Sequence, residues 1–278
     1  MAAGLALAAS LVWGVGDFLG GVKSRVMSPL AVMAISQPFG LAALAVAVAV
    51  AGTAPPGPEV AWAALAAVLG TLGLAAFYRG MALGAISVVA PIGAVGTALP
   101  VVWGLVQGDR VSFLQELGFL AALGGSVMIS VERGGARPRL AAGAGSGVLA
   151  MLGFGGYFIA LHAASVHDWL WPAFVFRLTS VTLVWLLLLL MPGQRLTGSV
   201  RPHLRALVAI GAFDTAGTVF FAAASSSHGL LSVVSVLASL YPIVTVLLAR
   251  YALGERIELS QNLGVATALV GVVLISAG

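Results

Sequence analysis

Four of the ionisable residues inside long apolar stretches of the sequence could pair by depth, and a charge in such a stretch is costly and is more often functional than elsewhere. They are Asp17, Arg79, Arg177 and Asp214. Counted at about 1.5 Å per helical residue, Asp17 and Arg79 fall at similar depths from one end of their stretches, and so do Arg177 and Asp214. The sequence therefore allows two buried acid–base pairs.

The sequence leaves two interpretations of these carboxylates open. Each pair could be an internal salt bridge in which two buried charges neutralise one another. Alternatively, a carboxylate could take up and release a proton, or pair with a charged ligand. Asp17 and Asp214 are the two proton-coupling candidates, and Asp17 is the stronger one.

Large aromatic rings recur in the same stretches. In a water-accessible cavity such rings stack on flat molecules and on cations, whereas on a helix exterior they face lipid. Trp13, Tyr78 and Tyr157 are favoured for the cavity because a glycine within two residues leaves space beside each ring. The predicted substrate-binding residues are Trp13, Asp17, Tyr78, Trp103, Phe154, Tyr157, Arg177, Asp214 and Tyr241.

The residues expected of an enzyme, a metal centre or a cofactor site do not occur together. The four histidines lack the spacing of helical metal ligands, and at segment ends we expect them to be solvated. The best catalytic combination is Ser126 or Ser225 with His228, and nothing activates that nucleophile. We therefore expect no enzyme activity, no metal and no cofactor.

The composition indicates which elements position these residues. Of 278 residues, 60% are apolar and 8% are charged, against about 25% charged residues in soluble domains, and the mean hydropathy is +1.10. A soluble domain would need a polar shell that this composition cannot supply. The 13 Lys and Arg residues form no basic patch, which excludes a nucleic-acid partner. The sequence predicts an all-α, multi-pass membrane protein.

Charged residues, prolines and glycines divide the chain into ten apolar segments of about the length that crosses a bilayer core. We expect Pro91, Pro100 and Pro242 to kink or break the helices that contain them. The segments are 2–22, 29–50, 59–82, 86–106, 112–132, 141–162, 169–191, 204–226, 229–251 and 258–277.

The second half of the sequence repeats the first. Residues 108–130 and 254–276 share 11 of 23 residues without gaps at an offset of 146, with Asp109 opposite Glu255. Residues 84–89 match 229–234 at an offset of 145. The predicted units are 1–133 and 141–278, with a linker at 134–140. Five helices per unit is an odd number, so the second unit is inverted relative to the first around a central cavity. Such inverted repeats are typical of secondary transporters.

Several motifs resemble those of a known family. They are Leu11–Phe18 (LVWGVGDF), Tyr78–Pro91 (YRGMALGAISVVAP) and the Gly-Asp/Glu-Arg turns before the fifth and tenth segments. The chain resembles the drug/metabolite transporter superfamily, in its ten-helix EamA-type branch. That resemblance implies a basket of helices with a central cavity, lined mainly by segments 1, 3, 4, 6, 8 and 9. It also implies small metabolites, amino acids or drugs as substrates, often moved outward.

We therefore predict a secondary transporter, in the first place an exporter, that works by alternating access, with proton coupling left open. The alternative is a channel, facilitator or lipid scramblase or flippase without proton coupling. The expected location is a prokaryotic inner (plasma) membrane. Eleven Lys and Arg residues lie on one side and only Arg110 on the other, which places both termini outside the cytoplasm, whereas the family resemblance implies termini inside.

The expected partners are a small-molecule substrate and membrane lipid, and the chain is expected to be a monomer or a homodimer. Small residues recur every four positions at Gly118, Ala122, Ser126 and Ser130. A smooth face of this kind allows close helix packing, either within one chain or between two copies.

Overall fold

A computed structural model describes residues 1–54, 57–84, 86–130, 143–191, 200–254 and 259–277. Helices account for most of these residues, and short 3-10 turns occur at Val95–Thr97 and Arg201–His203. The α-helices are α1 (Ala2–Ser24), α2 (Pro29–Ala51), α3 (Val60–Leu83), α4 (Ile86–Ala94), α5 (Ala98–Val106), α6 (Phe113–Ser130), α7 (Ala144–Ser165), α8 (Leu170–Leu190), α9 (Leu204–Ser226), α10 (Leu231–Ala238), α11 (Tyr241–Leu253) and α12 (Leu259–Ala277).

Helices long and apolar enough to cross a membrane dominate the described chain. There are seven of them when α10 and α11 are taken as one stretch, and three shorter apolar stretches occur at 92–106, 113–125 and 262–275. Large apolar side chains are exposed over much of the outer surface, as lipid contact requires. The all-helical, multi-pass membrane class predicted from composition is confirmed, and the count of ten spans stays a prediction.

Two of the ten predicted segments are each divided into two helices. Segment 86–106 is interrupted by the 3-10 turn between α4 and α5, and segment 229–251 is interrupted at Ser239 and Leu240 between α10 and α11. Pro100 and Pro242 lie in the first turns of α5 and α11. The missing amide of a proline is tolerated there, because the first four amides of a helix have no intrahelical partner.

Helices from the first half of the chain pack mainly against helices from the second half. The close pairs are α1 with α9, α2 with α8, α3 with α7 and α6 with α12. Glycines permit the closest approaches, since a Cβ atom built on Gly153 would lie 2.7 Å from the Cα atom of Gly73. Close backbone contact of this kind is a principal source of helix association in a bilayer.

The small-residue face of α6 packs inside the chain. A Cβ atom built on Gly118 would lie 2.6 Å from Cγ1 of Ile275, and one built on Gly271 would lie 2.6 Å from the amide of Ala122. The face is therefore covered by α12 at these positions. The side chains of Ser126 and Ser130 lie outside the described residues, and so does the linker predicted at 134–140.

Candidate functional site

A small cavity lies near the middle of the helix bundle, with a few charged and polar side chains set in a mostly apolar wall. Its volume is about 50 Å³, which is room for a few water molecules. Typical ligand pockets have volumes of about 300–1,000 Å³. Its walls come from α1, α2, α3, α7, α8, α9 and the start of α11, through Trp13, Asp17, Gln37, Gly70, Thr71, Leu74, Phe154, Tyr157, Phe158, Phe176, Arg177, Ser180, Asp214, Thr218 and Tyr241.

The cavity lies deep within its helices. Thr71 is the twelfth of 24 residues in α3, and Asp214 is the eleventh of 23 residues in α9. In a helix that crosses a bilayer, such positions lie close to the midplane. Transporters built from inverted repeats hold their substrate at this depth.

Arg177 and Asp214 form the buried ion pair that their matching depths predict. The Nη1 atom of Arg177 lies 2.6 Å from Oδ2 of Asp214, with exposed side-chain fractions of 0% and 17%. The Nη2 atom donates a longer hydrogen bond, 3.4 Å, to the hydroxyl of Thr218. The Nε atom of Arg177 has no partner within the described part of the chain. One cation and one anion are thereby fixed against one another at the cavity wall.

Asp17 has no such partner. Its side chain is 8% exposed, and among the described residues no ion pair or hydrogen bond reaches its carboxylate. The predicted pairing of Asp17 with Arg79 is wrong, because Arg79 is exposed on the outside of α3. Successive residues of a helix point about 100° apart, so the inward direction of Tyr78, which is 1% exposed, turns Arg79 away.

The charges on the cavity wall do not cancel. Among its lining residues, Arg177 supplies a positive charge, and Asp17 and Asp214 supply negative charges. Since Asp214 is paired, the ionised cavity carries one excess negative charge at Asp17. A buried carboxylate without a partner is costly, and either a proton or a bound cation would remove that cost.

Aromatic rings form much of the wall. The ring centroid of Tyr157 lies 6.0 Å from that of Trp13 and 5.3 Å from that of Phe176, and Phe154 lies 6.3 Å from Tyr241. The indole of Trp13 donates a 3.3 Å hydrogen bond to the main-chain carbonyl of Asp214. The structure thus places four of the predicted aromatic residues at the cavity.

Two predicted aromatic residues lie elsewhere. Tyr78 is buried behind the wall, where it stacks on Phe77 with centroids 6.5 Å apart. Trp103 is 48% exposed on α5 and does not line the cavity, so the prediction that it does is wrong. The buried face of α5 consists of Pro100, Val101 and Gly104, so Trp103 points away from the bundle.

Glycines make room for the inward rings, but they belong to neighbouring helices. A Cβ atom on Gly217 would collide with the indole of Trp13, and one on Gly70 would lie 2.9 Å from Cδ2 of Tyr157. The space beside each ring was expected from glycines next to it in the chain. The glycines that contact these rings are instead supplied across the helix interface.

Sequence reasoning missed a chain of small polar residues on the wall. Ser180 donates to Oε1 of Gln37 at 2.9 Å, and its oxygen lies 2.7 Å from the hydroxyl of Thr71. A hydroxyl has one proton, so Thr71 is the donor to Ser180. Helical spacing could have identified part of this set, because Ser180 follows Arg177 by three residues and shares its helix face.

A second polar cluster lies where α5, α7 and α9 end and α10 begins. Oδ2 of Asp109 accepts hydrogen bonds from the amide of Ser232 at 2.9 Å and from its hydroxyl at 2.7 Å. Nearby, Nδ1 of His162 lies 3.0 Å from the hydroxyl of Ser225. His162 is half-buried, whereas full solvation was expected from its place near a segment end. Asp109 is close enough to interact electrostatically with His162.

The serine in this cluster is not an activated nucleophile. Ser225 donates its hydroxyl proton to the carbonyl of Phe221 at 3.1 Å, so it can only accept from His162. Activation by a general base requires the opposite direction. His228, the partner considered from sequence, is exposed and has a φ of 58°, and the side chain of Ser126 lies outside the described residues.

The fold defines a multi-pass integral membrane protein whose helices surround a small cavity with a buried ion pair on its wall. The profile of the EamA-like transporter family matches residues 1–131 and 141–277. The chain therefore belongs to the EamA-like transporter family, within the drug/metabolite transporter superfamily. Its members are membrane transporters of small molecules and not enzymes.

Comparison with solved structures supports the same fold. A structure described only as "Crystal structure of protein" superposes with a TM-score of 0.75 at 17% sequence identity, over 99% of this chain and 96% of its own. At that identity the likeness concerns the fold alone. No curated protein matches the chain.

Proposed function

We propose that the chain is a secondary transporter that exports small metabolites, amino acids or drugs by alternating access, driven by protons, in a prokaryotic plasma membrane. The observation that carries the proposal is Asp17, a buried carboxylate without an ion-pair partner among the described residues, on the wall of a cavity deep in the helix bundle. An intramembrane acid of this kind is a functional site by default. The sequence contains no phosphate-binding loop, which supports a gradient or exchange as the energy source.

The helix breaks support two inverted five-helix units. The divided segments, 86–106 and 229–251, are the fourth of the first five and the fourth of the second five, so they correspond in the repeat. Broken helices at corresponding positions are the best sequence pointer to a transporter site. The cavity volume of about 50 Å³ is too small for a metabolite, so transport would require the cavity to expand.

Charge and ring chemistry narrow the preferred substrate. With Arg177 held by Asp214, the free carboxylate of Asp17 is complementary to a positively charged group. The rings of Trp13, Tyr157 and Tyr241 add faces that attract a cation. The cavity therefore suits a small amphipathic molecule with an amine, and the same carboxylate is protonated when that molecule leaves.

The test uses purified protein in proteoliposomes that contain a pH-sensitive dye. Amino acids, polyamines, nucleobases and cationic drugs are added in turn, and labelled compound is followed in parallel. We expect a substrate-dependent pH change in the native protein. In Asp17→Asn we expect no gradient-driven flux, while counterflow exchange of labelled substrate persists.

Glu116→Gln is the matched control, because Glu116 is an exposed acid on α6. Full proton-driven flux in Asp17→Asn would remove Asp17 from the coupling step. Flux that neither saturates nor shows counterflow would favour the channel, facilitator or scramblase alternative.

A further inference from the structure

At one end of the bundle, a polar contact joins the two halves of the chain. Asp109 belongs to the turn between α5 and α6, and its carboxylate binds both the amide and the hydroxyl of Ser232 at the start of α10. Hydrogen bonds from two donors to a carboxylate are among the stronger neutral-to-charged contacts in proteins. We name this end of the bundle the Asp109 end.

The chain is shaped for close approach at this contact. The amide of Asp109 donates to the carbonyl of Gly104 at 2.9 Å. A Cβ atom on Gly104 would collide with the Asp109 carboxylate and would lie 3.1 Å from the amide of Ser232. Glycine at 104 therefore allows the end of α5 to meet the start of α10 without an intervening side chain.

The contact joins the outer parts of both divided segments. Asp109 follows α5, the second part of segment 86–106, and Ser232 lies in α10, the first part of segment 229–251. His162 and Ser225 tie α7 to α9 beside it. If the two halves move apart at the Asp109 end, the bonds between Asp109 and Ser232 must break.

The sequence repeat places the same residue types at corresponding positions of the other half. Aligning 84–89 with 229–234 places Ser87 opposite Ser232, and the Gly-acid-Arg turns place Glu255 opposite Asp109. Glu255 and the side chain of Ser87 lie outside the described residues. The repeat therefore carries an acid and a serine at corresponding positions of both halves.

We infer that Asp109 and Ser232 form the latch that closes the central cavity at the Asp109 end, and that releasing it opens the cavity on that side. The inference rests on the proposed alternating access. Neither residue lines the cavity, so the latch sets which side of the membrane the cavity faces and does not bind the substrate.

The absence of cysteine from the sequence allows a direct test. The variant Asp109→Cys/Ser232→Cys is oxidised to a disulfide, and Leu74→Cys on the cavity wall is the reporter. Proteoliposomes of known orientation are treated with a membrane-impermeant maleimide from one side or the other. The bridged protein should react at the reporter at least tenfold more slowly from the Asp109 end, and reduction should restore the rate.

The matched control is Gly118→Cys/Ile275→Cys, which bridges α6 to α12. A Cβ atom on Gly118 lies 2.6 Å from the Ile275 side chain, and both positions are near the Asp109 end because α6 begins and α12 finishes there. This bridge should leave the reporter accessible as in the unbridged protein. Ser232→Ala alone keeps the amide bond to Asp109 and removes the hydroxyl bond. It should raise labelling from the Asp109 end about tenfold, as loss of one hydrogen bond to a charged group implies.

The results separate the latch from the transport function. Equal labelling from the Asp109 end with and without the Asp109–Ser232 bridge would overturn the latch, and so would unchanged labelling in Ser232→Ala. Labelling that switches with the bridge, in a protein that moves none of the compounds, would support the latch and count against the proposed function. Flux that continues unchanged through the bridged protein would contradict the latch.

Discussion

Replacing Arg177 with methionine should destabilise the protein by leaving Asp214 buried without its cation. The lost contact is a 2.6 Å charge-assisted hydrogen bond from a fully buried guanidinium, and Asp17 adds a second carboxylate to the same wall. Removing one partner of a buried pair costs about 3–5 kcal/mol. Asp214 is 17% exposed and can be hydrated, so we expect a loss near the lower limit, about 3 kcal/mol.

The assay is a double-mutant cycle by equilibrium unfolding in mixed micelles. Arg177→Met should cost about 3 kcal/mol of unfolding free energy, whereas Arg177→Met/Asp214→Leu should recover most of it, because an apolar pair leaves no orphan charge. Arg250→Met is the matched control, since Arg250 is exposed and surface changes shift stability by within about 0.5 kcal/mol. A coupling energy below about 0.5 kcal/mol would refute the reasoning.

Two further variants test the packing and the extent of the cavity. Gly217→Ala should lower the unfolding free energy by about 1–3 kcal/mol and alter tryptophan fluorescence, because the added methyl group meets the indole ring of Trp13. Gly4→Ala should do neither, because Gly4 has open space around it. Equal stability of the two variants would contradict the contact between Gly217 and Trp13. Tyr157→Ala should raise KM for transport about tenfold by removing a ring that would stack on the substrate, whereas Trp103→Ala should leave KM unchanged; equal effects would place the binding site outside this cavity.

Depth along a helix could be predicted from the sequence, but direction around it could not. Matching depths in apolar segments correctly indicated the pair of Arg177 and Asp214. The same argument failed for Arg79, because a helix position carries an angle as well as a depth, and the inward direction belongs to its neighbour Tyr78. With low amphipathic contrast in almost wholly apolar helices, the sequence gives little indication of that angle.

Interruptions of the helices caused the second difference between the prediction from sequence and the structure, which concerns Trp103. The prolines indicated where segment 86–106 is interrupted, but a 3-10 turn changes the rotation of every later residue. Trp103 therefore could not be assigned to a face by counting from the start of the segment. Gln37 and Ser180 were missed for another reason: small polar residues are common in membrane helices, and only the fold shows that these two meet.

The hydroxyl chain on the cavity wall has a direction, and that direction bears on leakage. Thr71 donates to Ser180 and Ser180 donates to the amide oxygen of Gln37. A proton wire needs every member to pass on what it receives, and a side-chain amide oxygen has no proton to release. These three side chains therefore cannot conduct protons along the cavity wall. Under the proposed coupling, Asp17 would then be the group that holds a proton, and the neighbouring hydroxyl chain would not let protons leak across the membrane.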